Sequence, residues 1–98
     1  MEQVLFDLKI KQSFSKDWVV YMYNDDTTPI DLVVDVLINI FDYNSHKATR
    51  FAHEVNDVDS GVVGKYPEKL ANARVKRALD FIHSKGFNDF RIEAKEDN

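Results

Sequence analysis

The chain has 98 residues, a formal net charge of -4 and no cysteine, which predicts one small domain without disulfides, thiolate zinc sites or a cysteine nucleophile. The acidic balance argues against nucleic acid as a partner, because phosphate contacts need clustered positive charge. The chain does not open on a secretion signal, and its longest apolar stretch, residues 32–41, is shorter than the roughly 20 residues of a membrane span, so we expect a cytoplasmic protein without a membrane partner.

The first part of the chain has a pattern of its own. Its apolar residues recur at every second position, as in a strand with one buried face. These residues are Val4, Phe6, Leu8 and Ile10. We expect residues 1–16 to form an N-terminal arm or edge strand, and residues 17–98 to form the core domain.

The core domain is predicted to begin with a strand. Residues 17–23 are rich in aromatic and β-branched side chains and end at a polar turn. A helix follows, with Thr28 as the predicted N-cap, Pro29 in the first turn and Asp31 completing a capping box. The apolar positions of this helix recur at helical spacing up to Phe41.

A second helix and a second strand come next. Asn44 or Ser45 is the predicted cap of the helix, which is expected to end near Asn56. A short turn then leads into a strand around residues 62–66, where Val and Tyr dominate. Pro67 ends this strand and opens the third helix.

The third helix is predicted to be the longest and to end at Gly86. Its expected inward residues are Leu70, Ala71, Ala78, Phe81 and Ile82. Residues 90–95 then alternate apolar and charged side chains, as in a strand with one solvent-exposed face. The order β-α-α-β-α-β predicts an α+β domain in which three helices cover one face of a three-stranded antiparallel sheet.

Little in the sequence points to catalysis or to metal binding. The histidines lack the spacing of metal ligands, and residues 57–61 lack the remaining ligands of a calcium loop. The one concentrated polar cluster is Asn24, Asp25 and Asp26, residue types that also favour turns and helix caps. Asp25 or Asp26 as a general base would lack a partner group, so we expect no catalytic residue, no metal and no cofactor.

The wider context of this cluster is more informative. Residues 23–41 have the sequence YNDDTTPIDLVVDVLINIF, an Asn-Asp-Asp turn followed by Thr-Pro and an apolar helix. This segment resembles the signature of the ClpS family, adaptors that hand N-end-rule substrates to the ClpAP protease. The predicted order of elements also agrees with the fold of that family, which is shared with the C-terminal domain of the ribosomal stalk protein. Further matching positions are Lys47, Ala48, Thr49, Gly64, Tyr66, Leu70, Ala71, Arg74 and Val75.

The resemblance implies a site for the free α-amino group and the bulky apolar first side chain of a substrate. An α-ammonium has three donors and a positive charge, so its receptor needs several acceptors, at least one of them anionic. Asn24 and Asp26 are the implied direct ligands, Asp25 adds negative charge, and Asn56 stands where the family has a His. The implied side-chain pocket is Met22, Tyr23, Thr28, Ile30, Val33, Ala52, Val55 and Phe90. These apolar residues also suit an ordinary core, and for Val33 and Val55 the sequence leaves both roles open.

The implied site departs from the family pattern at three positions. Asn56 offers an acceptor as a neutral His does, but it does not titrate near neutral pH. Ile30 and Ala52 stand where the family usually has Met, which exchanges two flexible side chains for a stiff one and a small one. The preference among Phe, Tyr, Trp and Leu therefore stays open.

The implied function is that of a monomeric adaptor, which binds N-degron peptides or proteins and delivers them to a ClpA-type AAA+ unfoldase and the ClpP protease. The third helix carries the implied docking residues for the unfoldase N-domain, Glu68, Lys69 and Arg74, and Lys69 reverses the charge usual at its position. This reversal and Asn56 keep one alternative open: a ClpS-like regulator or decoy that binds the degron or the unfoldase without productive delivery.

Overall fold

The computed structural model of the protein describes residues 17–97, so the predicted N-terminal arm or edge strand lies outside the described residues. The elements are β1 (Asp17–Tyr23), α1 (Ile30–Asn39), α2 (Ser45–Val58), β2 (Ser60–Pro67), α3 (Glu68–Ser84) and β3 (Arg91–Glu96). The predicted α+β class and element order are confirmed. No helix within the described residues is both long enough and apolar enough to cross a membrane.

The sheet has the strand order β2-β1-β3, and both pairs are antiparallel. A bulge interrupts the β1–β2 pair, because Val20 is opposite Gly64 whereas Tyr21 is opposite Val62. The extra residue is Val63, whose carbonyl accepts a hydrogen bond of 2.5 Å from the Tyr43 hydroxyl. Burial raises the pKa of Tyr43 to about 12, so this hydroxyl keeps its proton and the donor role at neutral pH.

The core lies between the sheet and the helices. Val20 and Met22 of β1 are 0% and 1% exposed, and Leu37 of α1 is 0% exposed. The buried stripe of α3 consists of Ala71, Ala78 and Ile82. The prediction that Leu70 points inward is wrong, since Leu70 is 41% exposed. It is offset by about 100° from Ala71 on the helix, and the small Ala71 is the residue that lies in the core.

The start of α1 differs from the predicted capping box. Pro29 is the flanking residue, and no side chain caps the helix N-terminus. The Thr28 hydroxyl instead donates to Asp25 Oδ2 at 2.9 Å, so Thr28 is part of the preceding turn and not the N-cap. The sequence places the helix start within two residues but assigns the wrong partner to Thr28.

The other helix ends follow the sequence more closely. Asn44 caps α2 as predicted, accepting a hydrogen bond of 2.8 Å from the Lys47 amide. This helix continues to Val58, two residues beyond the predicted end, and stops at Asp59 with a φ of 76°. Gly86 has a φ of 95° after α3, the left-handed conformation for which glycine has the lowest cost.

Candidate functional site

The turn between β1 and α1 is organised by one carboxylate oxygen. Asp25 Oδ2 accepts hydrogen bonds from the Thr27 amide and hydroxyl at 3.1 and 2.9 Å, and from the Thr28 amide and hydroxyl, both at 2.9 Å. Partial burial alone would raise the pKa of Asp25, but the hydrogen bonds from Thr28 and Thr27 outweigh it and hold the pKa below its usual value. Asp25 is therefore ionised at neutral pH.

Asn24 joins the start of this turn to the end of α2. Its backbone amide donates to the Asp59 carbonyl at 2.8 Å, and its side-chain Nδ2 donates to the Asn56 carbonyl at 3.5 Å. An amide that uses its nitrogen as a donor keeps its oxygen as an acceptor. Two elements separated by 32 residues therefore bring the polar groups of Asn24, Asp25 and Asn56 together.

These polar groups are part of the lining of a small hollow of about 40 Å³, most of whose remaining lining is apolar. The hollow lies between the end of β1, the start of α1 and the end of α2. Met22, Ala52 and Val55 are 1%, 3% and 4% exposed and belong to the core as well as to the hollow. The complete lining is Met22, Tyr23, Asn24, Asp25, Thr28, Ile30, Val33, Ala52, Val55 and Asn56.

Two residues implied for the site are not part of the lining of the hollow. Phe90 is 2% exposed and belongs to the core cluster, outside the lining of the hollow. Asp26 is exposed and is also outside the lining, whereas Asp25 is within it. The sequence did contain a signal for this difference, because an Asp followed by Thr at the second and third positions is a typical side-chain turn.

For Val33 and Val55, the core and pocket roles that the sequence left open coexist. Val55 is buried in the core cluster and Val33 packs against it, and both also line the hollow. Asp59 belongs to none of the motifs that indicate the site, although its carbonyl accepts a hydrogen bond from the Asn24 amide. A backbone contact of this kind leaves no pattern in the sequence.

The implied docking residues on α3 differ in their exposure and in their contacts. Glu68 and Lys69 are exposed at the start of the helix. The Arg74 side chain is only 19% exposed and forms a salt bridge of 3.1 Å with Asp42. Its guanidinium also lies 5.0 Å from the centre of the Tyr66 ring. Arg74 is thus engaged within the chain.

The surface also has two grooves away from the residues implied for the site. One groove, of about 310 Å³, lies between α1 and α3 around Val36 and Phe81. A second groove, of about 300 Å³, lies around Phe51 on α2. Both are larger than the hollow, but neither includes an implied site residue. Across residues 17–97, no group of three or more His, Cys, Asp or Glu side chains is arranged to hold a metal ion.

The family assignment follows from comparison with known proteins. The family model described as ATP-dependent Clp protease adaptor protein ClpS matches residues 14–91. The chain belongs to the ClpS family. Membership confirms the resemblance carried by the Asn-Asp-Asp turn, and it places the chain among protease adaptors, a family that is not catalytic.

Similar ClpS proteins match most of the chain. The ATP-dependent Clp protease adapter protein ClpS of Campylobacter jejuni is 36% identical over 70 residues, which are 71% of this chain and 73% of the relative. The ClpS of Clostridium acetobutylicum is 28% identical over 86 residues, which are 84% of this chain and 85% of the relative. The solved structure of Agrobacterium tumefaciens ClpS2 bound to L-phenylalaninamide has a TM-score of 0.79 and 26% identity, and the match covers 84% of this chain and 98% of that chain.

Proposed function

We propose that this chain is a cytoplasmic adaptor, which binds polypeptides with a free α-amino group and a bulky apolar first residue and delivers them to a ClpA-type AAA+ unfoldase and the ClpP protease. The observation that carries the proposal is the hollow, where the acceptors of Asn24, Asp25 and Asn56 border a buried apolar wall. The Agrobacterium ClpS2 was solved with L-phenylalaninamide, a molecule that has a free α-amino group and an aromatic side chain.

The polar border suits an α-ammonium group. Asp25 Oδ2 is occupied by four donors, while no hydrogen bond within residues 17–97 engages Oδ1. The Asn24 side-chain oxygen and the Asn56 side chain offer two neutral acceptors for the remaining donors of the ammonium. A hydrogen bond between charged partners contributes about 1.5–3 kcal/mol, so Asp25 is the ligand expected to contribute most.

The apolar lining offers a surface for the first side chain, and the hollow of about 40 Å³ must widen to hold an aromatic ring. Burying a Leu or Phe side chain contributes roughly 1.5–3 kcal/mol. Ile30 and Val33 are stiff at χ1 because they are β-branched, and Ala52 adds little volume, so Met22 is the flexible apolar side chain of the lining. After the entropy cost of association, these contributions predict a dissociation constant in the micromolar range.

Fluorescence anisotropy with short labelled peptides tests the binding step. The peptides differ only in their first residue, which is Phe, Leu or Met, and a fourth peptide begins with N-acetylated Phe. We expect micromolar binding of the Phe peptide, much weaker binding of the Met peptide, and none after acetylation. Failure of the Phe peptide to bind, or binding that survives acetylation, would overturn the proposed recognition.

The state of α3 favours one alternative, a ClpS-like regulator or decoy that binds without productive delivery. Arg74 is paired with Asp42, and the exposed Lys69 reverses the charge usual at its position. A degradation assay with a Phe-starting reporter and a ClpA-type unfoldase with ClpP separates the two functions. An adaptor accelerates degradation, whereas a decoy binds the reporter without acceleration. Gel filtration at micromolar concentration tests the proposed monomeric state.

A further inference from the structure

The last side chain of β1 is held on the face of the sheet opposite the core. Met22 points into the core, and the alternation of a strand directs Tyr23 to the other face. There the Tyr23 hydroxyl donates to Glu93 Oε1 at 2.5 Å, and the Arg91 guanidinium lies 5.0 Å from the ring centre. Arg91 and Glu93 alternate with the buried Ile92 of β3, so both lie on the same outer face as Tyr23.

This contact lies directly before the polar part of the hollow. Tyr23 borders the hollow and is followed by Asn24 and Asp25, which provide two of its acceptors. On the other side, the Asn24 amide is fixed by the Asp59 carbonyl at the end of α2. The chain therefore leaves β1 between two anchors, one on β3 and one on α2.

The protonation states of the pair suit this anchoring. The hydrogen bond from Tyr23, followed by that from Lys95, lowers the pKa of Glu93. The same bond to Glu93 is the main reason why the pKa of Tyr23 is raised above 10.0. Glu93 is therefore a carboxylate and Tyr23 a hydroxyl at neutral pH, which is the combination that the contact requires.

We propose that Glu93 is a positioning residue for the α-amino site, acting through the Tyr23 hydroxyl to fix the direction in which Asn24 and Asp25 leave β1. The inference rests on the proposed function of the hollow. Glu93 itself lies on the outer face of the sheet and is not part of the lining. Its effect on a bound peptide is indirect, through the placement of the acceptors.

Variants of the full chain separate this role from the salt bridge of 3.2 Å between Glu93 and Lys95. Anisotropy with the Phe-starting peptide measures the affinity. We expect Glu93→Ala and Tyr23→Phe each to weaken binding about three- to tenfold, the size typical of residues that act through a neighbour. Glu93→Gln should restore binding to within about twofold of the original, because its amide oxygen accepts the same hydroxyl proton. Lys95→Ala should change affinity by less than about twofold.

A double variant and a peptide-free measurement complete the test. Tyr23→Phe combined with Glu93→Ala should bind no more weakly than either single variant, because both remove the same contact. Hydrogen exchange of the Asn24 amide should be faster in Glu93→Ala but not in Glu93→Gln, whether or not a peptide binds. Thermal melting shows that each variant is folded.

Three results would overturn the positioning role: unchanged affinity and exchange in Glu93→Ala, additive losses in the double variant, or an equal loss in Lys95→Ala. If the unaltered chain binds no Phe-starting peptide, the proposed function fails, while the exchange of the Asn24 amide still tests what Glu93 positions.

Discussion

The hollow and the first half of α3 both match positions of the ClpS pattern, but their charged side chains are held in different ways. In the hollow, Asp25 uses one carboxylate oxygen to fold the turn, and no hydrogen bond within residues 17–97 engages the other. On α3, the Arg74 guanidinium forms a salt bridge with Asp42 and lies over the Tyr66 ring. A residue that matches the family pattern can therefore bind a partner only where its neighbours in the chain leave one of its polar atoms without a hydrogen bond or an ion pair.

The largest expected effect separates Asp25 from Asp26. Replacing Asp25 by Ala should weaken binding of a Phe-starting peptide by about tenfold to a hundredfold, because an ionic hydrogen bond of about 1.5–3 kcal/mol is lost. Asp26→Ala is the matched control and should change affinity by less than about twofold. Asp25→Asn, which keeps an acceptor for the Thr27 and Thr28 donors, distinguishes loss of charge from loss of the turn. A larger effect at Asp26 would show that Asp26, and not Asp25, binds the α-amino group.

The second prediction concerns what Arg74 does on α3. Arg74→Ala should lower the free energy of unfolding by about 1 kcal/mol, because a partly buried ion pair and a cation–π contact are both lost. Lys69→Ala, at an exposed position of the same helix, should change it by less than about 0.5 kcal/mol. Urea denaturation measures both variants. If both variants lower the free energy of unfolding by the same small amount, the contacts of Arg74 with Asp42 and Tyr66 do not stabilise the fold. Arg74 would then be no more engaged than Lys69, and α3 would not differ from the hollow in this respect.

A third prediction tests the docking face directly. Lys69→Glu restores the charge usual in the family, and we expect it to accelerate degradation of a Phe-starting reporter by about twofold to threefold through faster association. Affinity for the isolated peptide should not change, because Lys69 is not part of the hollow. A slower reaction with Lys69→Glu would indicate a docking partner with negative charge at this point.

The smallest expected effect is that of pH. The folded pKa of Asp25 lies below 3.8, so its contribution to stability is present above that value and is lost only as the pH falls through the folded pKa. Asn56 does not titrate, so peptide affinity should vary by less than about twofold between pH 5.5 and 7.5. Asn56→His should introduce a loss of affinity below about pH 6.5, as the imidazole gains a proton and repels the ammonium. A steep pH dependence in the unaltered chain would contradict this.

Much of the fold could be predicted because local chemistry determines it. The aromatic and β-branched run before Asn24 predicts β1, Asn44 caps α2, and Gly86 follows α3 in the left-handed conformation that favours glycine. Leu70 shows where this reasoning fails. Apolar character alone predicts burial, but the position on the helix decides which residue faces the sheet, and there it is Ala71.

The sequence by itself determined the family, the element order and the residue types of the site, since these depend on motifs and on contacts between near neighbours. Only the tertiary structure decided that Phe90 belongs to the core and that Arg74 is engaged by Asp42, 32 residues away. It also joined Tyr23 to Glu93 across 70 residues. Such contacts depend on how the strands and helices pack together, and the order of residues along the chain does not specify that packing in any local pattern.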